Sequence, residues 1–134
     1  NQCHFITALI RKIIDSENEG RDKITLFGTG EPLRQFMYAG DLARTIKLVI
    51  ENDITESFNV ATPEENNIKD MAEITLNALG KDMNIVFDTD KPDGQYRKTV
   101  SCEKMLESVG DFKFTKLKDG VKKVYNEVIK EYGK

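Results

Sequence analysis

Residues 24–38 read ITLFGTGEPLRQFMY. Ile24-Thr25-Leu26-Phe27 is a short apolar run, and it ends on Gly28-Thr29-Gly30-Glu31-Pro32. The run reads as a strand and the glycines as a turn. A glycine, any residue and a glycine begin a dinucleotide-binding fingerprint, but Leu33 stands where its third glycine belongs. That fingerprint also opens a helix, whose N–H groups and dipole meet the pyrophosphate. Pro32 and the extended run Gln35-Phe36-Met37-Tyr38 oppose a helix here. The stretch is strand, turn and extended chain, with no phosphate-cradling loop of the Rossmann or Walker type.

The flanks supply the helices. Before it, Ile6, Leu9, Ile10, Ile13 and Ile14 follow helical spacing and predict a helix from Phe5 that fades near Glu19-Gly20. After it, a second helix is expected from about Asp41 to Glu51, with Leu42, Ile46, Val49 and Ile50 turned inward. Asp41 suits the positive end of that helix. Ser57–Ala61 reads as a short strand. Asn67 can cap a third helix with Ile68, Met71, Ala72, Thr75 and Leu79 on one face, and Gly80 can end it. Asn84–Asp88 is a further strand.

Residues 88–100, DTDKPDGQYRKTV, centre on a Pro-Asp-Gly turn and return to extended chain at Lys98–Val100. Ser101 can cap a short helix to about Ser108, ended by Gly110. Thr115 can cap a long one with Leu117, Val121, Val124, Val128 and Tyr132 on a stripe. Short strands separated by helices give an α/β class. The 134 residues suit a single domain over 1–134.

Composition narrows the function. Apolar residues are 39% and charged residues 32%, which is neither a disordered nor a membrane-embedded balance. The net charge of −3 disfavours nucleic acid. A small anion needs only a local basic cluster. No run approaches the length of a membrane-spanning helix, and no signal peptide is evident, so a cytoplasmic location is expected. The first residue is Asn1, which suggests a processed product or an excised piece. Cys3 and Cys102 form no Cys-x-x-Cys pair and suit a reducing cytosol, though their pairing stays open. His4 has only the adjacent Cys3 as a neighbouring ligand type, so no metal is expected.

Reduction by an activated tyrosine would want a lysine four residues on, to lower the phenol pKa. Tyr38, Tyr96 and Tyr125 are followed there by Leu42, Val100 and Ile129. The cations that could serve are Arg11, Lys12, Arg34, Lys91, Arg97 and Lys98. Several converging would bind a diphosphate, whereas each alone is an ordinary surface charge. His4 is either a bystander at a helix start or a proton donor near neutral pH.

In order, CHFITALIRK from Cys3, ITLFGTGEPLRQFMY from Ile24, GDLA from Gly40, FNVA from Phe58, IKDMA from Ile68 and KPDGQYRK from Lys91 make a pattern. Together they resemble the C-terminal half of the GDP-L-fucose synthases. These are extended short-chain dehydrogenase/reductases of the NAD-dependent epimerase/dehydratase family. The resemblance covers essentially the whole chain. Its middle part is shared by many nucleotide-sugar epimerases and dehydratases, and the KPDG-x-x-RK part is the more discriminating. It implies the C-terminal substrate-binding part of an extended Rossmann-type epimerase. Such enzymes epimerise GDP-4-keto-6-deoxymannose at C3 and C5 and reduce C4 with NADPH.

By the same resemblance His4 is the general acid of epimerisation and lies close to the cofactor. Lys12, Phe27, Arg34 and Lys98 fall on substrate-binding positions. Phe27 stands where the family has tryptophan, so an aromatic face is kept without the indole N–H. Gly40 replaces an acidic residue, and Tyr96 replaces a proline. The Gly-rich fingerprint, the catalytic serine, the Tyr-x-x-x-Lys pair and a second epimerisation residue, a cysteine, belong to the N-terminal half. Cys3 is not that cysteine. NADP would therefore be bound mainly by the other half, and the isolated chain should be inactive. The helix after Gly40 and the strand at Asn59 would normally pack on the Rossmann lobe. Without it they would expose apolar surface, to be covered by another partner, an oligomer or a strand rearrangement. The full-length enzyme is expected to be a homodimer. The alternatives are the same part of another nucleotide-sugar 4-epimerase or 4,6-dehydratase, or a free-standing binding module.

Overall fold

The computed structural model describes residues 4–132. Cys3, the side chain of Tyr132, and with them the question of a Cys3–Cys102 pair, lie outside the described residues. Helix α1 spans Phe5–Asn18 and is followed by strands β1 (Lys23–Phe27) and β2 (Leu33–Gln35). Helix α2 spans Ala39–Glu51; β3 (Glu65–Asn67) leads directly into α3 (Ile68–Leu79). Then come β4 (Asn84–Asp88), β5 (Arg97–Lys98), α4 (Glu103–Val109) and α5 (Leu117–Tyr132). The expected α/β class is what the chain adopts.

Two small sheets result. In one, β1 and β4 pair in parallel, Ile24 against Ile85 and Leu26 against Phe87. In the other, β2 is central, antiparallel to β3 and parallel to β5. The core lies around the first sheet. Leu9 and Ile13 of α1 and Ala72 and Leu76 of α3 close over Ile24 and Leu26. Each leucine or isoleucine side chain so removed from water contributes about 1.5–3 kcal/mol. A second cluster joins Ile10, Met71, Leu117 and Val121, so α5 packs on α1 and α3. Alternation in β1 follows from this: Ile24 and Leu26 face the core, while Lys23, Thr25 and Phe27 face out.

The caps of α3 agree with the sequence. Asn67 accepts from the Asp70 N–H at 2.6 Å, and Gly80 adopts the left-handed conformation. The Ser101 hydroxyl accepts from the Glu103 N–H at 3.1 Å. Three expectations need correction. First, Thr115 does not cap α5: its N–H and hydroxyl both donate to Asp41. The Leu117 N–H is met instead by the Glu64 carboxylate at 3.1 Å. Second, residues 57–61 are irregular rather than a strand, because their backbone joins no ladder among the described residues. Third, the stripe of α2 read as inward is open to solvent, with Leu42 44%, Ile46 51% and Ile50 69% exposed. Its buried residues are Asp41 and Thr45. Asp41 ties that side to residue 115, which leaves the apolar stripe on a flank that nothing among the described residues covers. No helix of the described residues is long and apolar enough to cross a membrane.

Candidate functional site

Register in the three-stranded sheet decides which cations meet. Arg34 pairs with Lys98 and Leu33 with Arg97 across the parallel β2–β5 ladder. Directly paired residues share a face, and neighbours along a strand alternate. Arg34 and Lys98 thus stand side by side on one face, with Asn66 of β3 as the third member of the row. Like charges directly opposite one another are destabilising unless something lies between them. Arg97 falls on the other face and is spoken for: its guanidinium donates twice to the Glu65 carboxylate, at 2.9 Å each. The hydrogen bonds from Arg97 hold the Glu65 carboxyl below its usual range, and Glu65 in turn raises the guanidinium. Of the basic residues around the Pro-Asp-Gly turn, this removes Arg97 from the free anion-binding set.

Arg34 is half-buried, and its Nη1 donates to the carbonyls of Leu33 at 2.7 Å and Tyr96 at 3.4 Å. These bonds fix its direction and leave its other guanidinium nitrogens for a ligand. Lys98 is exposed and meets no acid among the described residues. It lies on the wall of a hollow of about 390 Å³, which Gln35, Met37, Val60, Thr62 and Val100 also line.

A second pair forms between α1 and β1. Lys12 donates from Nζ to the Thr25 carbonyl at 2.6 Å and sits 5.0 Å from the centre of the Phe27 ring. Phe27 is 64% exposed, so its outer face is free to stack on a planar group. His4 stands apart from both pairs. It is exposed, immediately before α1, at the rim of an apolar groove of about 400 Å³ between Phe36, Tyr38, Leu117 and Val121. Its carbonyl accepts from the Thr7 hydroxyl at 2.9 Å. The five expected site residues therefore form two pairs and one outlier.

The glycine turn is where the sequence reading stopped short. Gly28 and Gly30 have φ of +83° and +85°, which only glycine adopts freely. The Asp93 carboxylate accepts from the Thr29 N–H at 2.6 Å and from its hydroxyl at 2.7 Å. A Cβ on Gly28 would fall inside that carboxylate. The Pro-Asp-Gly loop is thus latched onto the Gly-Thr-Gly turn. The pair is distant in sequence, and no local pattern announces it.

A profile of the family described as GDP-mannose 4,6-dehydratase matches residues 1–117. The chain belongs to that family. It is 35% identical over 132 residues to a GDP-L-fucose synthase of Dictyostelium discoideum, covering 96% of this chain and 41% of that protein. It is 30% identical over 133 residues to a GDP-L-colitose synthase of Yersinia pseudotuberculosis, covering 98% and 43%. It superposes on the crystal structure of a GDP-L-fucose synthetase from Naegleria fowleri bound to NADP with a TM-score of 0.86. Identity there is 30%, with 97% of this chain and 41% of that chain covered. This dehydratase-family chain spans about two-fifths of the length of the relatives it matches.

The described residues of this family member carry no glycine turn that opens a helix, the arrangement of a dinucleotide fingerprint. The turn with dinucleotide-like glycines runs into β2 rather than a helix, and its Thr29 N–H already holds a carboxylate where a phosphate would need it. Nor does any group of three or more His, Cys, Asp or Glu among them suit a metal ion.

Proposed function

We propose that this chain is the C-terminal, sugar-nucleotide-binding part of an NADPH-dependent 3,5-epimerase/4-reductase acting on GDP-4-keto-6-deoxymannose, a GDP-L-fucose synthase. The observation that carries the reading is the in-register pair Arg34 and Lys98, two cations on one face of a three-stranded sheet. A diphosphate seated there would relieve their repulsion and accept from both. Arg34 offers a planar fork whose direction its backbone bonds set, and Lys98 a movable point charge. Lys12 and Phe27 add a third positive charge beside an exposed ring. The names of the relatives, fucose and colitose synthases, favour a guanosine diphosphate over other nucleotides.

His4 is the residue assigned to proton donation during epimerisation. An imidazole nitrogen can both give up and regain a proton, which suits that step. The cofactor supplies hydride chemistry when bound, and the N-terminal part of the enzyme is assigned its binding. That part is also assigned to cover the open stripe Leu42, Ile46 and Ile50. The chain by itself is inactive in this reading, and the full-length enzyme is a cytoplasmic homodimer.

The test is NADPH oxidation by the full-length enzyme with the ketosugar, alongside binding of GDP, UDP and dTDP. His4→Ala should suppress epimerisation by roughly a hundredfold or more while leaving GDP affinity in place. Arg34→Ala should raise KM with little change in kcat, because a diphosphate remote from the reacting carbons is held equally in ground and transition states. A full rate for His4→Ala, or preference for UDP, would refute the assignment.

A further inference from the structure

The strand that carries Lys98 is only two residues long, and β2, which it pairs with, ends at Gln35. Two ladder positions are too few to hold an exposed segment in register by themselves. Just past the end of the ladder the Gln35 side chain takes over. Its Oε1 accepts from the Val100 N–H at 2.9 Å, and its Nε2 donates to the Val100 carbonyl at 3.1 Å. The same Nε2 donates to the Thr62 carbonyl at 2.7 Å. A carboxamide has the donor and acceptor of a peptide unit. Here it extends the sheet by one position and also joins the irregular segment 60–62 to it.

We propose that Gln35 is a positioning residue that keeps Lys98 beside Arg34. By the alternation along β2 its side chain leaves the sheet on the face opposite Arg34, and it acts by fixing the backbone two residues beyond Lys98. Three backbone groups on two otherwise unpaired segments depend on this one side chain. The inference rests on the reading of Lys98 as a contact for a nucleoside diphosphate. It adds the residue that determines where that contact stands. The chemistry is specific to a neutral amide. Glutamate at this position would have no donor and would turn a carboxylate toward two carbonyl oxygens. Methionine would keep the length and make none of the three bonds.

The experiment uses the full-length enzyme and GDP as the probe, with affinity read by calorimetry. The variants are Gln35→Met, Gln35→Glu, Lys98→Ala and the double variant Gln35→Met/Lys98→Ala. Gln35→Met should weaken GDP by roughly tenfold, and Gln35→Glu by more, the order expected for losing bonds and for setting a carboxylate against two carbonyl oxygens. The double variant should bind no worse than Lys98→Ala alone, because Gln35 acts only through that lysine. Amide exchange at Val100 should rise in Gln35→Met, a readout that holds even if Gln35→Glu fails to fold. Additive losses in the double variant would overturn the proposal, as would unchanged GDP affinity in Gln35→Met beside a weakened Lys98→Ala. Unchanged affinity in Lys98→Ala would instead strike down the diphosphate reading of Lys98, and the role of Gln35 with it.

Discussion

Asp41 is a carboxylate almost wholly removed from water, with its side chain 2% exposed. Burial alone would push its pKa up. The Arg44 guanidinium at 2.8 Å and the Thr115 N–H and hydroxyl outweigh burial and hold it below its ordinary value. A lowered folded pKa means that the unfolded chain binds the proton more readily. The stabilisation is then complete above the ordinary aspartate range near pH 3.9, and it is lost as pH falls through the lower folded pKa. Asp41→Asn should cost about 2 kcal/mol at pH 7, the order of charge-assisted hydrogen bonds. Urea unfolding of both proteins should show the gap closing as the pH is taken below 4. A gap independent of pH would mean that Asp41 acts by shape rather than charge. None of this was visible locally: Asp41 reads as a first-turn acid, and its main partner lies beyond α4, at residue 115.

At the scale of elements, periodicity located the helices and core strands well, because burial there repeats with the geometry of the element. Leu9, Ile10 and Ile13 of α1 and Met71, Ala72 and Thr75 of α3 are buried as their spacing demands. The same signal misplaced α2. An apolar stripe marks a face that some surface covers, but it does not say which surface. Leu42, Ile46 and Ile50 are therefore a test of the longer protein. Ile46→Lys should change the thermal stability of the 134-residue chain by no more than about 0.5 kcal/mol, as exposed substitutions do. In the full-length enzyme the same change should cost more than 2 kcal/mol, the penalty for placing a charge in a packed contact. Equal effects in the two would show that nothing covers the stripe. The short strands fared less well for a related reason. β2, β3 and β5 hold only two or three residues each, and their pairing is set by long-range partners rather than by an alternating pattern.

For the whole molecule, the candidate site was legible in residue type and not in arrangement. Arg34, Lys98, Lys12 and Phe27 could be named from the chain, but which of them meet depends on the β2–β5 register and on α1 lying along β1. Arg97 looked equivalent to Lys98 until Glu65 came to lie across the sheet from it. Gln35 and Asp93, which hold the arrangement, carry no sequence signature of that task. The core, by contrast, needs only α1, β1, α3, β4 and α5.

That division has a temporal consequence at the Asp93–Thr29 latch. Its partners are separated by 64 positions, so forming it closes a loop that contains β2, α2, β3, α3 and β4. Contacts of such separation on an exposed rim form after the barrier to folding, once the interior has already condensed. Asp93→Ala should leave the refolding rate almost unchanged and accelerate unfolding in proportion to the stability lost, measured by stopped-flow in urea. A slowed refolding limb would place the latch in the nucleus. If unfolding alone changes, the rim that carries this latch is the last part of the chain to assemble and the first to come undone.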